Sequence, residues 1–200
     1  MKEVINLRKA QTIDLRKQDG VPMVTPYVSI GWDTAPEFAS SQDIDMDIFA
    51  MLQDEDGVSL GAEHFIFYNT VGRKSACGGI EISPDNRTGE GDGDDEWLKF
   101  DFNAIDPRCA KVTVGVSIND ADIKLQNFSM IDNAFIRIAE SEHGREHAKL
   151  DLAQKFGQYE GVVFGTFERK GNEWLFMTIA EGLQNGISEF VSQFNFESKR

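Results

Sequence analysis

Short apolar segments separated by polar turn residues run along almost the whole chain, and they constrain its fold more than any other feature. The clearest is KVTVGVSI at 111–118, where valine or isoleucine occupies every second position. Successive side chains of a strand point to opposite faces, so this period of two predicts a strand with one face in a core. Segments such as WLFMTI and FIRI are apolar on both faces, which is typical of strands covered on both sides.

Gly, Asp, Asn and Pro separate these segments, and this spacing predicts an all-β protein of about eleven strands. The predicted strands are 12–16, 27–32, 44–53, 64–68, 78–82, 97–102, 111–118, 134–140, 148–152, 161–169 and 173–180. A two-sheet β-sandwich with a few short helical turns buries the apolar faces of such strands against one another. No repeat or linker interrupts the pattern, so we expect a single domain over residues 1–200.

A helical period occurs only near the C-terminus. Leu183, Ile187, Phe190, Val191 and Phe194 are spaced i, i+4, i+7, i+8 and i+11, which places them on one stripe of an amphipathic helix. We expect this helix to pack on the sandwich. The alternative, a docking surface for a partner, uses the same pattern.

Composition and charge limit the classes of partner and the cellular compartment that suit this chain. The chain has 200 residues, 40% of them hydrophobic, and a net charge of −14 from 20 basic and 34 acidic residues, so the phosphates of nucleic acids would be repelled. Neither a signal peptide nor a membrane-spanning apolar run is present, which predicts a cytoplasmic protein without direct membrane insertion. Cys77 and Cys109 lack a CxxC spacing and fit a reducing compartment.

An acidic loop at 85–96, DNRTGEGDGDDE, carries six carboxylates and three glycines. Carboxylates this close repel one another unless a cation neutralises them, and oxygen ligands suit calcium or magnesium rather than zinc. The EF-hand pattern fails, because positions 3 and 5 would be Arg87 and Gly89 and position 6 is Glu90, where the turn needs glycine. The loop therefore predicts an oxygen-rich metal site of another kind, between strands.

Other chemistry is less well supported by the sequence. His143 and His147 could face zinc together on a helix, but the surrounding residues predict two strands joined by a turn at Gly144, with no Cys or third His. A magnesium- or manganese-dependent phosphoester hydrolase is the alternative use of the acidic loop, with its carboxylates at 94–96 as bridging ligands. Only Arg87 is near in sequence to stabilise developing negative charge.

The acidic loop, together with HFIFYN about twenty residues upstream and DIDMDIFAML before it, closely resembles the TerD-type tellurium-resistance and stress-response proteins. Their hallmark loop has the form GDNxTGxGxGDDE. The resemblance continues through SIGW, VTVGVSI, QNF followed by DNAFIRI, and EWLFMTIAEG. It implies a calcium-binding β-sandwich with a two-ion site, which acts without an established enzymatic reaction in cytoplasmic responses to tellurite, phage or colicin.

The resemblance also implies a ligand set for Ca²⁺. Its residues here are Asp43, Asp45, Asn69, Asp85, Asn86, Thr88, Gly89, Gly91, Asp92, Asp94, Asp95 and Glu96. Two positions depart from the family: Pro84 replaces a glycine, and Asp47 replaces a small residue on the predicted strand face of Asp43 and Asp45, where it either adds a ligand or faces water.

The implied partners are other proteins of a stress-response complex, through which any association with a membrane would be made. A direct, calcium-bridged docking on anionic lipid, as in C2 domains, is disfavoured by the net charge of the chain. Metal binding would order a surface for the protein partners.

Overall fold

The computed structural model describes residues 5–6, 11–17, 19–38, 44–91 and 93–193. Within these residues the chain forms twelve strands and three short helices. The strands are β1 (Ile5–Asn6), β2 (Thr12–Ile13), β3 (Tyr27–Thr34), β4 (Met46–Gln53), β5 (Phe65–Ile66), β6 (Ile80–Ile82), β7 (Glu96–Phe100), β8 (Lys111–Ile118), β9 (Ile131–Ala139), β10 (Glu146–Asp151), β11 (Gly161–Lys170) and β12 (Glu173–Leu183). The helices are α1 (Ala121–Lys124), α2 (Ala153–Phe156) and α3 (Gly186–Gln193).

Two six-stranded sheets make up the fold. The first has the order β1-β10-β9-β3-β7-β6 and the second has the order β2-β12-β11-β8-β4-β5. All neighbouring strands are antiparallel except β1 and β10. The prediction of an all-β, two-sheet sandwich is confirmed.

The core lies between the inner faces of the two sheets. Val28 and Ile30 of β3 share one apolar cluster with Val114 and Val116 of β8, and all four are fully buried. Burial of each such side chain contributes about 1.5–3 kcal/mol to folding. The alternation predicted for 111–118 is confirmed, because β8 has the same bounds and its valines face this core.

Helix α3 covers the outer face of the second sheet. The ring centroid of Phe190 lies 4.5 Å from that of Phe49, and both rings are fully buried in a second apolar cluster. The helix therefore packs on the sandwich, as predicted. Leu183 was expected on its stripe, but it is the last residue of β12, because the chain turns at Gln184 and Asn185 and the helix begins only at Gly186, whose φ is +51°. Phe194 lies outside the described residues.

Several strand bounds differ from the predicted ones at the edges of the sheets. The predicted strand 64–68 shortens to β5, because His64 ends a 3₁₀ turn at Ala62–His64. The predicted strand 78–82 begins only at Ile80, since Gly78 has a φ of +76° in the preceding turn. Strand β1 was not predicted. Edge strands have few partners, so the local sequence pattern that marks them is weak.

The start of β4, the end of β8 and the start of β7 meet at one end of the sandwich. Met46 pairs with Ile118 in the second sheet. The backbone N–H of Ile48 donates to Glu96 Oε2 at 3.0 Å and so links the two sheets. The acidic loop, which joins β6 to β7, lies at this end. No helix in the described ranges is long and apolar enough to cross a membrane.

Candidate metal centre

The fold brings Asp45, Asp47 and Asp85 together. Asp45 directly precedes β4, Asp47 is the second residue of β4, and Asp85 opens the acidic loop after β6. One carboxylate oxygen from each lies within 4.8 Å of the others. Oxygens that bind a single calcium ion at 2.3–2.6 Å are separated by at most about 5 Å, so these three fit one ion.

Two of these carboxylates are buried with an oxygen that has no hydrogen-bond partner. Asp45 is 6% exposed and Asp47 is 2% exposed. No donor in the described part of the chain lies within hydrogen-bond distance of Oδ1 of either residue. A buried carboxylate oxygen without a donor is unfavourable, and a bound cation removes that cost. The residues present therefore fit a metal ion.

The electrostatics of Asp47 and Glu96 point to the same conclusion. Burial, and then the charge of Glu96, raises the pKa of Asp47 to about 9. Burial raises the pKa of Glu96 to about 8, although its oxygens accept from the backbone N–H groups of Ile48 at 3.0 Å and Asn86 at 3.1 Å. Burial therefore disfavours the charged form of both carboxyls, and a bound divalent cation would offset that cost.

Asn119, directly after β8, positions Asp45. Its Nδ2 donates to Asp45 Oδ2 at 3.1 Å, and its backbone N–H donates to the Asp45 carbonyl at 2.8 Å. Burial raises the pKa of Asp45, and the hydrogen bond from Asn119 acts against that shift. Oδ1 stays free to face an ion. Sequence reasoning missed Asn119, because the two residues are 74 positions apart and no motif joins them.

The last acids of the loop anchor it to the first sheet. Asp94 forms a two-bond ion pair with Arg137 of β9, with Arg137 Nε 2.8 Å from Asp94 Oδ1. Asp95 Oδ2 accepts from the backbone N–H of Trp32 at 2.9 Å, and its Oδ1 accepts from Asn86 Nδ2 at 3.1 Å. The sequence indicated Arg87 as the only nearby cation, whereas the fold also places Arg137 against the loop.

Asn86 and Gly89 shape the first half of the loop. Asn86 Oδ1 accepts from the backbone N–H groups of Thr88 at 3.2 Å and Gly89 at 3.1 Å, which closes a tight turn. Gly89 has a φ of +64°, and a Cβ there would lie 2.6 Å from the indole nitrogen of Trp32. Only glycine allows the loop to take this conformation and pack on β3. Gly91, at φ +133°, is exposed.

Of the remaining predicted ligands, the structure describes Asn69. Asn69 is exposed in the loop after β5. Its neighbour Tyr68 has its pKa raised by burial and next by the charge of Asp47, so this loop lies near the centre. Asp43 and Asp92 lie outside the described residues.

The two histidines considered for zinc occupy the β9–β10 hairpin. The side chain of His143 is 92% exposed, whereas that of His147 is 6% exposed, and His147 Nε2 lies 3.2 Å from Glu140 Oε1. Neither belongs to a cluster of metal-binding side chains in the described ranges. The prediction of a polar hairpin with a turn at Gly144 is confirmed.

Comparison with known proteins assigns the family. The sequence matches the TerD domain over residues 4–194. It is 36% identical over 194 residues to the uncharacterized protein YceE of Bacillus subtilis (strain 168), covering 96% of this chain and 98% of that protein. General stress protein 16U of the same organism is 34% identical over 194 residues, with the same coverage.

Two further similarities agree with this assignment. The tellurium resistance protein TerD of Serratia marcescens is 32% identical over 194 residues, covering 97% of this chain and 98% of that protein. The fold is shared with the solved structure of a homologue of telluride resistance protein (TerD) from Streptomyces coelicolor A3(2), at a TM-score of 0.70 and 24% identity over 84% of this chain and 95% of that one. The chain therefore belongs to the TerD domain family of tellurium-resistance and stress-response proteins.

Proposed function

We propose that this protein is a calcium-binding, non-enzymatic stress-response protein whose acidic loop binds about two calcium ions and orders a surface for protein partners. The observation that carries the proposal is the pair of buried carboxylates, Asp45 and Asp47, each with an oxygen that lacks a donor, beside Asp85. The names of the relatives, a general stress protein and tellurium resistance proteins, support the stress-response part.

Calcium fits the donor set better than the other common cations. Among the residues that the structure describes, the cluster consists of three aspartates without Cys or His, and such donors favour calcium, magnesium or manganese over zinc. Magnesium requires near-ideal octahedral geometry and keeps several waters, whereas calcium accepts six to eight oxygens in irregular arrangements. An irregular glycine-containing loop facing a strand suits the second kind of coordination. A second ion would draw on the remaining oxygens of the loop.

Bound calcium would join segments that are distant in sequence. Asp45 directly precedes β4 of the second sheet and Asp47 lies in it, whereas Asp85 and Glu96 flank the loop between β6 and β7 of the first sheet. An ion held by both groups stabilises only the folded state, so its binding free energy adds to the free energy of unfolding. This end of the sandwich would then become a single ordered surface.

The test is a calorimetric titration of metal-stripped protein with calcium and then with magnesium. We expect calcium to bind with about two equivalents, and we expect the double variant Asp45→Asn with Asp47→Asn to lose at least one of them. The matched control is Asp56→Asn, which removes an exposed acid from the turn after β4. Absence of calcium binding would contradict the proposal, and a preference for magnesium with phosphoester turnover would favour the hydrolase hypothesis.

A further inference from the structure

Helix α3 is too short to cover the whole outer face of the second sheet. Its eight residues span about 12 Å, whereas the eight residues of β8 span about 26 Å, because a strand is more extended than a helix. A Cβ at Gly186, where the helix begins, would lie 3.4 Å from the Cβ of Ser117 near the end of β8. The helix therefore lies toward that end and leaves the face around the start of β8 uncovered by it.

A cavity of about 460 Å³, here called the outer cavity, lies on this part of the face. Binding sites for small organic molecules have volumes of about 300–1,000 Å³, with mostly apolar walls and a few placed polar groups. The apolar walls of the outer cavity are formed by Val163, Met177, Ile179 and Phe190. Its size and walls therefore suit a small organic molecule.

Three buried polar side chains form a hydrogen-bonded chain along the floor of the outer cavity. They are Gln53 of β4, Thr113 of β8 and Thr166 of β11, each at most 7% exposed. Gln53 Nε2 donates to the carbonyl of Gly57 at 2.9 Å, and Thr113 Oγ1 donates to Gln53 Oε1 at 2.6 Å. Thr166 Oγ1 lies 2.9 Å from Thr113 Oγ1. The chain thus runs across three neighbouring strands and ends at Thr166.

The direction of this chain fixes what Thr166 can offer to a ligand. The amide oxygen of Gln53 can only accept, so Thr113 uses its single hydroxyl proton there. Thr166 must then be the donor in the contact between the two hydroxyls. Among the described residues, no group donates to Thr166 Oγ1 in return. This oxygen therefore presents only acceptor positions to the outer cavity.

Folding alone does not require a hydroxyl at Thr166. Without it, Thr113 would still donate to Gln53 and Gln53 to the Gly57 carbonyl, so no buried donor would lose its acceptor. Valine has nearly the same shape and is equally suited to a strand. A buried acceptor without a donor costs free energy, and a ligand that donates to Thr166 would offset that cost.

The charged side chains of the outer cavity favour a neutral ligand. They are Lys111, Glu168 and Glu181. Glu168 already pairs with Lys170 at 2.9 Å, which leaves one cation and one anion in the lining. Neither an anionic nor a cationic molecule would therefore meet an excess of the opposite charge.

We propose that the outer cavity is a binding site for a small alcohol, whose apolar body packs on Val163, Met177, Ile179 and Phe190 and whose hydroxyl donates to Thr166 Oγ1. The site is separate from the candidate metal centre. Asp47 and Gln53 lie six residues apart on β4, which corresponds to about 20 Å. The inference therefore does not rest on calcium binding, and its test is made in chelator.

The test uses two isomers, hexanol and methyl pentyl ether, which have the same atoms but differ in whether they carry a hydroxyl proton. Each is titrated into the protein at millimolar concentrations while NMR follows the amide chemical shifts. The variant is Thr166→Val, which removes the acceptor and keeps the shape of the side chain. The matched control is Thr25→Val, which removes an exposed hydroxyl in the bend before β3 of the first sheet.

We expect hexanol to shift the amides of β8, β11 and β12 that line the outer cavity. It should bind the unmodified protein and Thr25→Val about fivefold more tightly than the ether, because one hydrogen bond is gained. In Thr166→Val the two isomers should bind equally, at the affinity of the ether. The ratio within each variant separates the hydrogen bond from any general effect of the substitution on the fold.

Three results would overturn the inference. The first is the absence of saturable hexanol shifts at the outer cavity of the unmodified protein. The second is equal binding of hexanol and the ether to the unmodified protein, which would leave Thr166 without a role in recognition. The third is a preference for hexanol that persists in Thr166→Val, which would assign the hydroxyl of the ligand to another acceptor. None of these results bears on the proposed calcium binding.

Discussion

At the scale of single residues, we expect substitution of Asp47 to have the largest effect on calcium binding, because Asp47 is the most buried carboxylate of the cluster and has an oxygen without a donor. Asp47→Asn removes the charge while keeping the shape of the side chain. We expect calcium affinity to fall by at least about tenfold, or about 1.4 kcal/mol, since one ligand charge is lost. Calorimetry measures this loss, and an affinity unchanged from that of Asp56→Asn would show that Asp47 is no ligand.

The raised pKa values also predict how the metal-free protein responds to pH. Asp47 and Glu96 have folded-state pKa values of about 9 and about 8, whereas unfolded carboxyls titrate near about 4. Between these limits the folded state binds more protons than the unfolded state, so stability falls as pH rises from about 5 to about 9. Calcium replaces the protons, and its stabilising effect should grow over the same interval.

Urea unfolding in chelator and in calcium, at several pH values, measures both trends. Asp47→Asn serves as the control, because it removes the group whose pKa is raised to about 9 while the remaining net charge of the chain stays almost the same. Its metal-free stability should depend less steeply on pH. A slope equal to that of the unmodified protein would assign the effect to general charge repulsion instead.

At the scale of elements, the ion pair between Asp94 and Arg137 holds the acidic loop on β9. Both side chains are largely buried, at 8% and 14% exposed. Arg137→Gln leaves the carboxylate buried without its partner, and we expect a loss of about 3 kcal/mol in the free energy of unfolding. The matched control is Arg108→Gln, which breaks the exposed pair with Asp106 and should cost at most about 1 kcal/mol. Equal losses in urea unfolding would contradict an anchoring role.

Elements with a strong local pattern could be predicted from the sequence, and contacts between distant elements could not. Strand β8 has the predicted bounds because every second residue is apolar. Leu183 was misplaced because an apolar residue at the end of a strand also fits a helical spacing that begins there. Arg137 was missed because it lies 43 residues from Asp94, and only the pairing of β3 with β9 brings it to the loop. Local periodicity contains no information on such pairing.

At the scale of the whole molecule, the acidic cluster joins the two sheets at one end of the sandwich. The Ile48 N–H bond to Glu96 already crosses between the sheets, and the cluster of Asp45, Asp47 and Asp85 spans the same gap. A bound ion would therefore suppress local opening of the backbone at this end of the sandwich more than at the hairpins of the opposite end. Local opening at a metal centre is visible in amide hydrogen exchange when global unfolding is not.

Hydrogen–deuterium exchange of metal-stripped and calcium-loaded protein tests the central claim most directly. We expect calcium to slow exchange in residues 44–48 and 83–96, while exchange in the distant turns at 54–58 and 170–173 is unchanged. Protection confined to the two segments that supply the carboxylates would place the ion between the sheets. Unchanged exchange in both segments at saturating calcium would contradict the account.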